Sequence, residues 1–186
     1  NNTMSTLHVE NLKGPTSGAN ASKIIVPTGQ TLAAPGHVIQ TVIFENDQTQ
    51  TNHTAVSSNG SWINTGNTAT ITPQFATSKI LINIHDPVHG DADQDGHNVY
   101  AGWRLYRGTS TVLKTFANGG SENTTILVSR GGQGAATTMS TTHLDSPATT
   151  SAVTYKTMMQ RNSPSNRAMR INWTSTQSMT LMEIAQ

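Results

Sequence analysis

From Pro35 to the C terminus, apolar residues recur at alternate positions in short runs, and each run is closed by turn residues. In SKILINI (78–84), Ile80, Ile82 and Ile84 point one way and Leu81 and Asn83 the other. In NVYAGWRLYRG (98–108), Val99, Ala101, Trp103 and Leu105 share a face, opposite Tyr100, Arg104 and Tyr106. A period of two places successive side chains on opposite sides of a strand, so these segments predict β-structure. GHVIQTVIFEN (36–46) is apolar on both faces, with Val38, Val42 and Phe44 on one and Ile39 and Ile43 on the other, which predicts a strand covered on both sides. SWINTG (61–66), TATITP (68–73), TVLKTF (111–116), TTILVSR (124–130), TMSTTHL (138–144), AVTYKTMMQ (152–160), AMRINW (168–173) and SMTLMEI (178–184) repeat the pattern between turn signals such as GGQGAA (131–136) and NSPSN (162–166). About ten short strands, with no helical period, predict an all-β sandwich or barrel.

The first 35 residues read differently. STLHVENL (5–12) alternates only briefly, GPTSGANAS (14–22) is a turn-and-linker run, and KIIVPTGQTL (23–32) has one short apolar run ended by Pro27. Too few apolar residues lie here to close a core, so residues 1–35 are expected to form an arm that attaches the domain of residues 36–186 to something else. Asn1 to Thr6 are uncharged and, Met4 apart, polar, which is not a signal-peptide pattern.

Composition sharpens this. Only 11% of the 186 residues are charged and 34% are hydrophobic, with Thr, Ser and Asn filling the difference. Threonine suits a half-buried pleated surface, which agrees with β-structure. The formal net charge is +1, without a run of Lys or Arg, so the clustered cations that nucleic-acid binding requires are missing from the sequence. No apolar stretch approaches the ~20 residues of a membrane-spanning helix. Cysteine is absent, which excludes disulfides and thiolate metal sites.

PGHVIQTV, W-I-N-T-G with T-A-T-I-T-P, SKILI, WRLYRG, LDSPATTSAVTYK and MTLMEIAQ follow one another in this order. In this the chain resembles virion structural proteins of tailed phages of marine and freshwater bacteria, cyanophage types among them, often described as tail-fibre proteins. MSTLHVENLKG and KIIVPTGQTL are similar to the N-terminal segment of the same group, and Met4 opens that segment. The resemblance implies a trimeric jelly roll of the C1q and tumour-necrosis-factor type, located in the virion after assembly in the bacterial cytoplasm. It implies a fibre or knob that meets the host surface, held by its N-terminal arm to other virion proteins; the alternative is a head-decoration or tail-stabilising protein with no receptor role.

One stretch lies outside those blocks. HDPVHGDADQDGHN (85–98) holds three of the seven histidines and four of the ten acidic residues. Asp91, Asp93 and Asp95, followed by Gly96, have the D-x-D-x-D-G spacing with which carboxylates converge on a hard cation such as calcium. The position that supplies a bidentate Glu in an EF-hand is Gly102, and the flanks read as strands, so the loop is no EF-hand; the choice is between a different calcium site and a solvated loop. His85 and His89 would converge on zinc only from a helix, which Pro87 opposes. His97 reads as a surface or interface residue; the other reading is that the clustered histidines sense pH by protonation where subunits meet.

No enzyme is expected. His143, Asp145 and Ser146 are close in sequence, but no G-x-S-x-G elbow exists and Ser146 precedes Pro147 in a turn. Glycan depolymerisation needs two carboxylates held ~5–10 Å apart, whereas Glu10, Glu45, Asp47, Glu122, Asp145 and Glu183 are scattered over different segments. Aromatics such as Trp62, Trp103 and Tyr155 fall in predicted strands and read as core, unless a ring is exposed beside polar groups, where it would suit a sugar. Met158, Met159, Met169, Met179 and Met182 read as adaptable packing in a core or subunit seam.

Overall fold

The computed structural model describes residues 10, 12–19, 21, 23–32, 34–47, 54–56, 60–90, 99–117, 126–130, 133–162, 169–171 and 175–186. The chain divides into two compact units, Asn1–Ala33 and Ala34–Gln186. The described part of the first unit contains neither helix nor strand. Gly14 lies so close to Lys23 that a Cβ would fall 2.1 Å from the Lys23 carbonyl oxygen, so only glycine fits that approach. Leu12, Ile24, Ile25 and Leu32 are exposed.

The second unit contains the strands β1 (Val38–Asp47), β2 (Thr54–Val56), β3 (Trp62–Ile71), β4 (Lys79–Gly90), β5 (Val99–Arg107), β6 (Thr111–Ala117), β7 (Ile126–Arg130), β8 (Gln133–Asp145), β9 (Val153–Asn162), β10 (Met169–Ile171) and β11 (Thr176–Ile184). One sheet has the order β1-β11-β4-β8, with β10 on the end of β4 and β2 beside β10. The second runs β3-β9-β5, and both β6 and β7 pair with β5. All these ladders are antiparallel, and a short β7–β8 pairing joins the two sheets at one corner. The chain crosses between sheets at β2–β3, β3–β4, β4–β5, β8–β9 and β9–β10. This two-sheet Greek-key winding defines a jelly roll, as expected.

The alternation in the sequence sets the register. Ile80, Ile82 and Ile84 of β4, Met179 and Leu181 of β11, Trp103 and Leu105 of β5, and Tyr155 and Met159 of β9 form the buried core between the sheets. A one-residue slip would carry each of these rows into solvent, so burial of one face pins the pairing.

Several boundaries differ from the sequence reading. SWINTG and TATITP form one strand, β3, which bulges between Asn64 and Thr68 around Gly66, at φ 87°. GGQGAA, expected to be a loop, enters β8 at Gln133. β4 continues through Pro87 to Gly90. Pro87 sits in the gap between the β11 ladder, which ends at His85, and the β10 ladder, which begins at Val88, and lies opposite Thr138 in the β8 ladder on the other side. The expectation for β1 is corrected in two ways. A bulge between Val38 and Gln40 turns Val38 to the side of Ile184, away from Val42 and Phe44. Its second face is also uncovered within one chain, since Ile43 is 62% exposed.

Candidate functional site

The acid-and-histidine stretch divides where β4 ends. His85 and His89 lie in the strand and point outward, on the opposite side from Ile84 and Val88. Four residues of strand separate them by about 13 Å, too far for one ion to bind both. His85 Nδ1 lies 3.3 Å from Ser140 Oγ. Asp91, Asp93, Asp95 and His97 lie outside the described residues.

Asp86 follows the inward parity of Ile80, Ile82 and Ile84 and is fully buried. Its carboxylate accepts from Asn67 Nδ2 at 2.7 Å and from Trp103 Nε1 at 2.8 Å. Asn67 Nδ2 also donates to the Ser178 carbonyl at 2.9 Å, and Asn46 Nδ2 donates to Gln177 Oε1 at 3.2 Å. Thr65 and Asn67 keep the inward parity of Ala69 and Ile71 through the β3 bulge, and the Thr65 hydroxyl meets that of Thr157. A polar seam thus crosses the core and joins the two sheets. Burial pushes the Asp86 carboxyl above its ordinary range, and hydrogen bonds from Trp103, Asn67, Thr157 and Gln177 partly oppose that rise. The sequence reading placed Asp86 in a polar cluster; extending the period-two pattern by one step would have placed it inside.

Asp145 is held in a second tie. Arg107 Nη1 donates to both carboxylate oxygens at 3.0 Å, and Tyr155 Oη donates to Oδ2 at 2.8 Å. Burial, reinforced by Asp145, drives the Tyr155 phenol well above its ordinary value. With its oxygens engaged by Arg107 and Tyr155, Asp145 is not arranged to orient His143. Burial lowers the His143 pKa, the nearby Asp145 charge opposing it, and Ser146 is exposed in the turn that follows. The three residues are neighbours in the chain but do not form a nucleophile–base–orienter set. Glu183 is a third buried acid: it accepts from Gln40 Nε2 at 2.6 Å and from the amides of Gln74 and Phe75 at 2.8 and 3.2 Å, which fixes the β3–β4 connection.

The outer face of the β1-β11-β4-β8 sheet is polar at one end and apolar at the other. Toward the end of β4 it carries Glu45, Ser178, His85 and Ser140 in adjacent register. Toward the start of β4 the rows read Thr41, Met182, Leu81 and Leu144, with Val38 and Ile184 paired beyond them. Leu144 is 49% exposed, Val38 42% and Ile43 62%. This is the largest grouping of uncovered apolar side chains on the described sheet faces.

The fold class is therefore an all-β jelly roll whose buried acids brace the interior and whose outer sheet faces are the surfaces open to partners. No protein-family model matches the chain, and no curated protein matches it. Among solved structures it is similar to the T13 infectious bursal disease virus particle, at 9% identity and TM-score 0.46 over 90% of this chain and 41% of that one. The VP2 subviral particle of the same virus matches at 13% identity and TM-score 0.40 over 92% and 41%, and the Gx strain at 10% and 0.41 over 85% and 37%. The chain spans about two fifths of the length of these proteins. The assignment as a jelly roll rests on the chain's own strand order.

Proposed function

We propose that this chain is a structural protein of a virus particle that works without enzymatic chemistry, as a homotrimeric knob exposed on the virion and engaged in attachment to the host surface. The observation that carries the reading is the apolar end of the β1-β11-β4-β8 face, formed by Val38, Ile43, Leu81, Leu144, Met182 and Ile184. Contiguous uncovered apolar side chains favour association, and closed rotational symmetry lets identical copies bury one patch without forming fibres. The face calls only for association; the number three, the phage virion and the tail-fibre role come from the resemblance of the sequence blocks. The exposed Ile24, Ile25 and Leu32 suit docking of the N-terminal arm to other proteins of the particle.

Sedimentation of the purified full chain tests the reading. A trimer is expected at micromolar concentration, and Leu81→Asp with Leu144→Asp should give folded monomers. A wild-type monomer under those conditions refutes it. Labelled trimer mixed with host cells then separates the roles: binding supports attachment, whereas binding only to particles that lack the protein identifies a decoration protein.

A further inference from the structure

The edge of a sheet carries backbone donors and acceptors that a further strand can take. Among the described strands, the long ones with a single neighbour are β1, β3 and β6. Two of these edges are blunted: β3 by its bulge around Gly66, and β6 by two register shifts and Lys114. β1 bulges only at its start, between Val38 and Gln40, and its ladder to β11 then runs unbroken to Asp47. The strand contains no Pro, Lys or Arg. It is also apolar on both faces, with Val42 and Phe44 packed on the core and Ile43 exposed on the outer side.

One segment outside the domain has a matching pattern. Residues 23–26 (KIIV) form no strand, and Ile24, Ile25 and Val26 are exposed. Alternation puts Ile24 and Val26 on one side of such a segment and Lys23 and Ile25 on the other. Laid antiparallel along β1 with Ile25 opposite Ile43, it sets Val26 opposite Val42, Ile24 opposite Phe44 and Lys23 opposite Glu45, which is exposed on the outer side. Apolar residues then meet apolar residues on both faces, and the lysine meets a carboxylate. Pro27, which has no N–H to donate, ends the segment opposite Thr41. A shift of two residues one way puts Ile25 on Glu45 and Ile24 on Asn46; the other way puts Lys23 on Ile43. A parallel alignment with Ile25 opposite Ile43 puts Lys23 on Thr41.

We infer that residues 23–26 of one copy add as a strand to the free edge of β1 of a second copy, in that antiparallel register. Backbone hydrogen bonds along the edge would supply the attachment, and the alternate side chains the selection of register. Within one chain Ile24, Ile25 and Val26 remain uncovered, so a second copy provides the cover that the chain itself does not. The linker of residues 27–37 spans up to ~36 Å at ~3.3 Å per residue, long enough to reach a neighbour. The inference rests on the self-association proposed above and names a neighbouring copy as the partner of the arm.

The test uses the full chain, whose lack of cysteine leaves introduced thiols unambiguous. Residues directly opposite in an antiparallel pair have Cα atoms about 4.5–5.5 Å apart, within the range a disulfide bridges. Ile25→Cys and Ile43→Cys chains, mixed and oxidised, should yield a cross-linked pair of chains. Ile25→Cys mixed with Asp47→Cys should not, because four residues along the strand place the thiols about 13 Å apart. Adding Lys23→Glu should lower the yield about threefold, and Glu45→Lys on the other chain should restore it. No cross-link, equal cross-linking at Asp47→Cys, or a bridge that forms only inside a chain carrying both Ile25→Cys and Ile43→Cys overturns the inference. If the wild-type chain still sediments as a trimer in any of those cases, self-association stands and only this arm contact is wrong; a wild-type monomer with no cross-link removes both.

Discussion

Replacing Asp86 with alanine strips the acceptor from two donors that cannot reach water. Trp103 Nε1 and Asn67 Nδ2 approach the carboxylate at 2.8 and 2.7 Å, and all three residues are buried. A buried donor left unsatisfied costs about 1–3 kcal/mol, so two set a range of about 2–6 kcal/mol. The lost carboxylate also carried its own desolvation penalty, seen in its raised pKa. That offset brings the expected loss to about 3 kcal/mol. For a domain of this size such a loss lowers the melting temperature by about 6–12 °C. Denaturant unfolding followed by tryptophan fluorescence, at fixed protein concentration because association shifts apparent stability, measures it directly. Asp86→Asn keeps one acceptor and should lie between wild type and alanine. A loss under about 1 kcal/mol for Asp86→Ala would refute the reasoning, since the seam would then be a consequence of the packing and not a support for it.

Three further outcomes follow from the same geometry. Because the folded-state pKa of Asp86 lies above the ordinary 3.8, its stabilising contribution is complete below 3.8 and is lost as pH rises through the shifted value. Wild type should therefore gain stability relative to Asp86→Asn as pH falls from neutrality toward 4, and a difference that stays flat over this interval contradicts the assignment. Tyr155→Phe removes the 2.8 Å bond to Asp145 and should cost about 1.5–3 kcal/mol in denaturant unfolding, as expected for a bond to a charged group; an unchanged midpoint would show that Arg107 alone holds the acid. Gly66→Ala places a Cβ at φ 87°, where the closest described atom is Gln177 Oε1 at 3.6 Å, so backbone strain and not crowding should destabilise the domain by about 1–2 kcal/mol; a gain in stability would show that the bulge relaxes.

The core was legible wherever alternation was clean. Ile80, Ile82 and Ile84, and likewise Trp103 and Leu105, face inward as their spacing requires, and Met159, Met169 and Met179 pack in the core. Alternation fails at a bulge that adds one residue, which shifts parity without marking it in the residue types, and Val38 shares a face with Ile184 for that reason. The β3 bulge adds two residues and keeps the parity, so Thr65 and Asn67 face inward with Ala69 and Ile71, as alternation requires. The burial of Asp86, Asp145 and Glu183 was not legible, because the donors that make it tolerable come from strands remote in sequence. The stacking of Arg104 on Trp62 was invisible for a related reason. Trp62, Arg104 and Lys156 come from three strands, and only the β3-β9-β5 ladder brings them together.

The two sheets are clasped at the interior by Asp86, at one edge by Asp145 with Arg107 and Tyr155, and near that edge by Lys114, whose Nζ donates to Thr141 Oγ1 at 2.7 Å. None of these clasps involves sulfur, and the chain has no cysteine. Thiol reductants and oxidants therefore find no covalent link to cut or form, and the domain should unfold at the same denaturant concentration in either. This domain therefore has no disulfide to form when it passes from a reducing to an oxidising compartment.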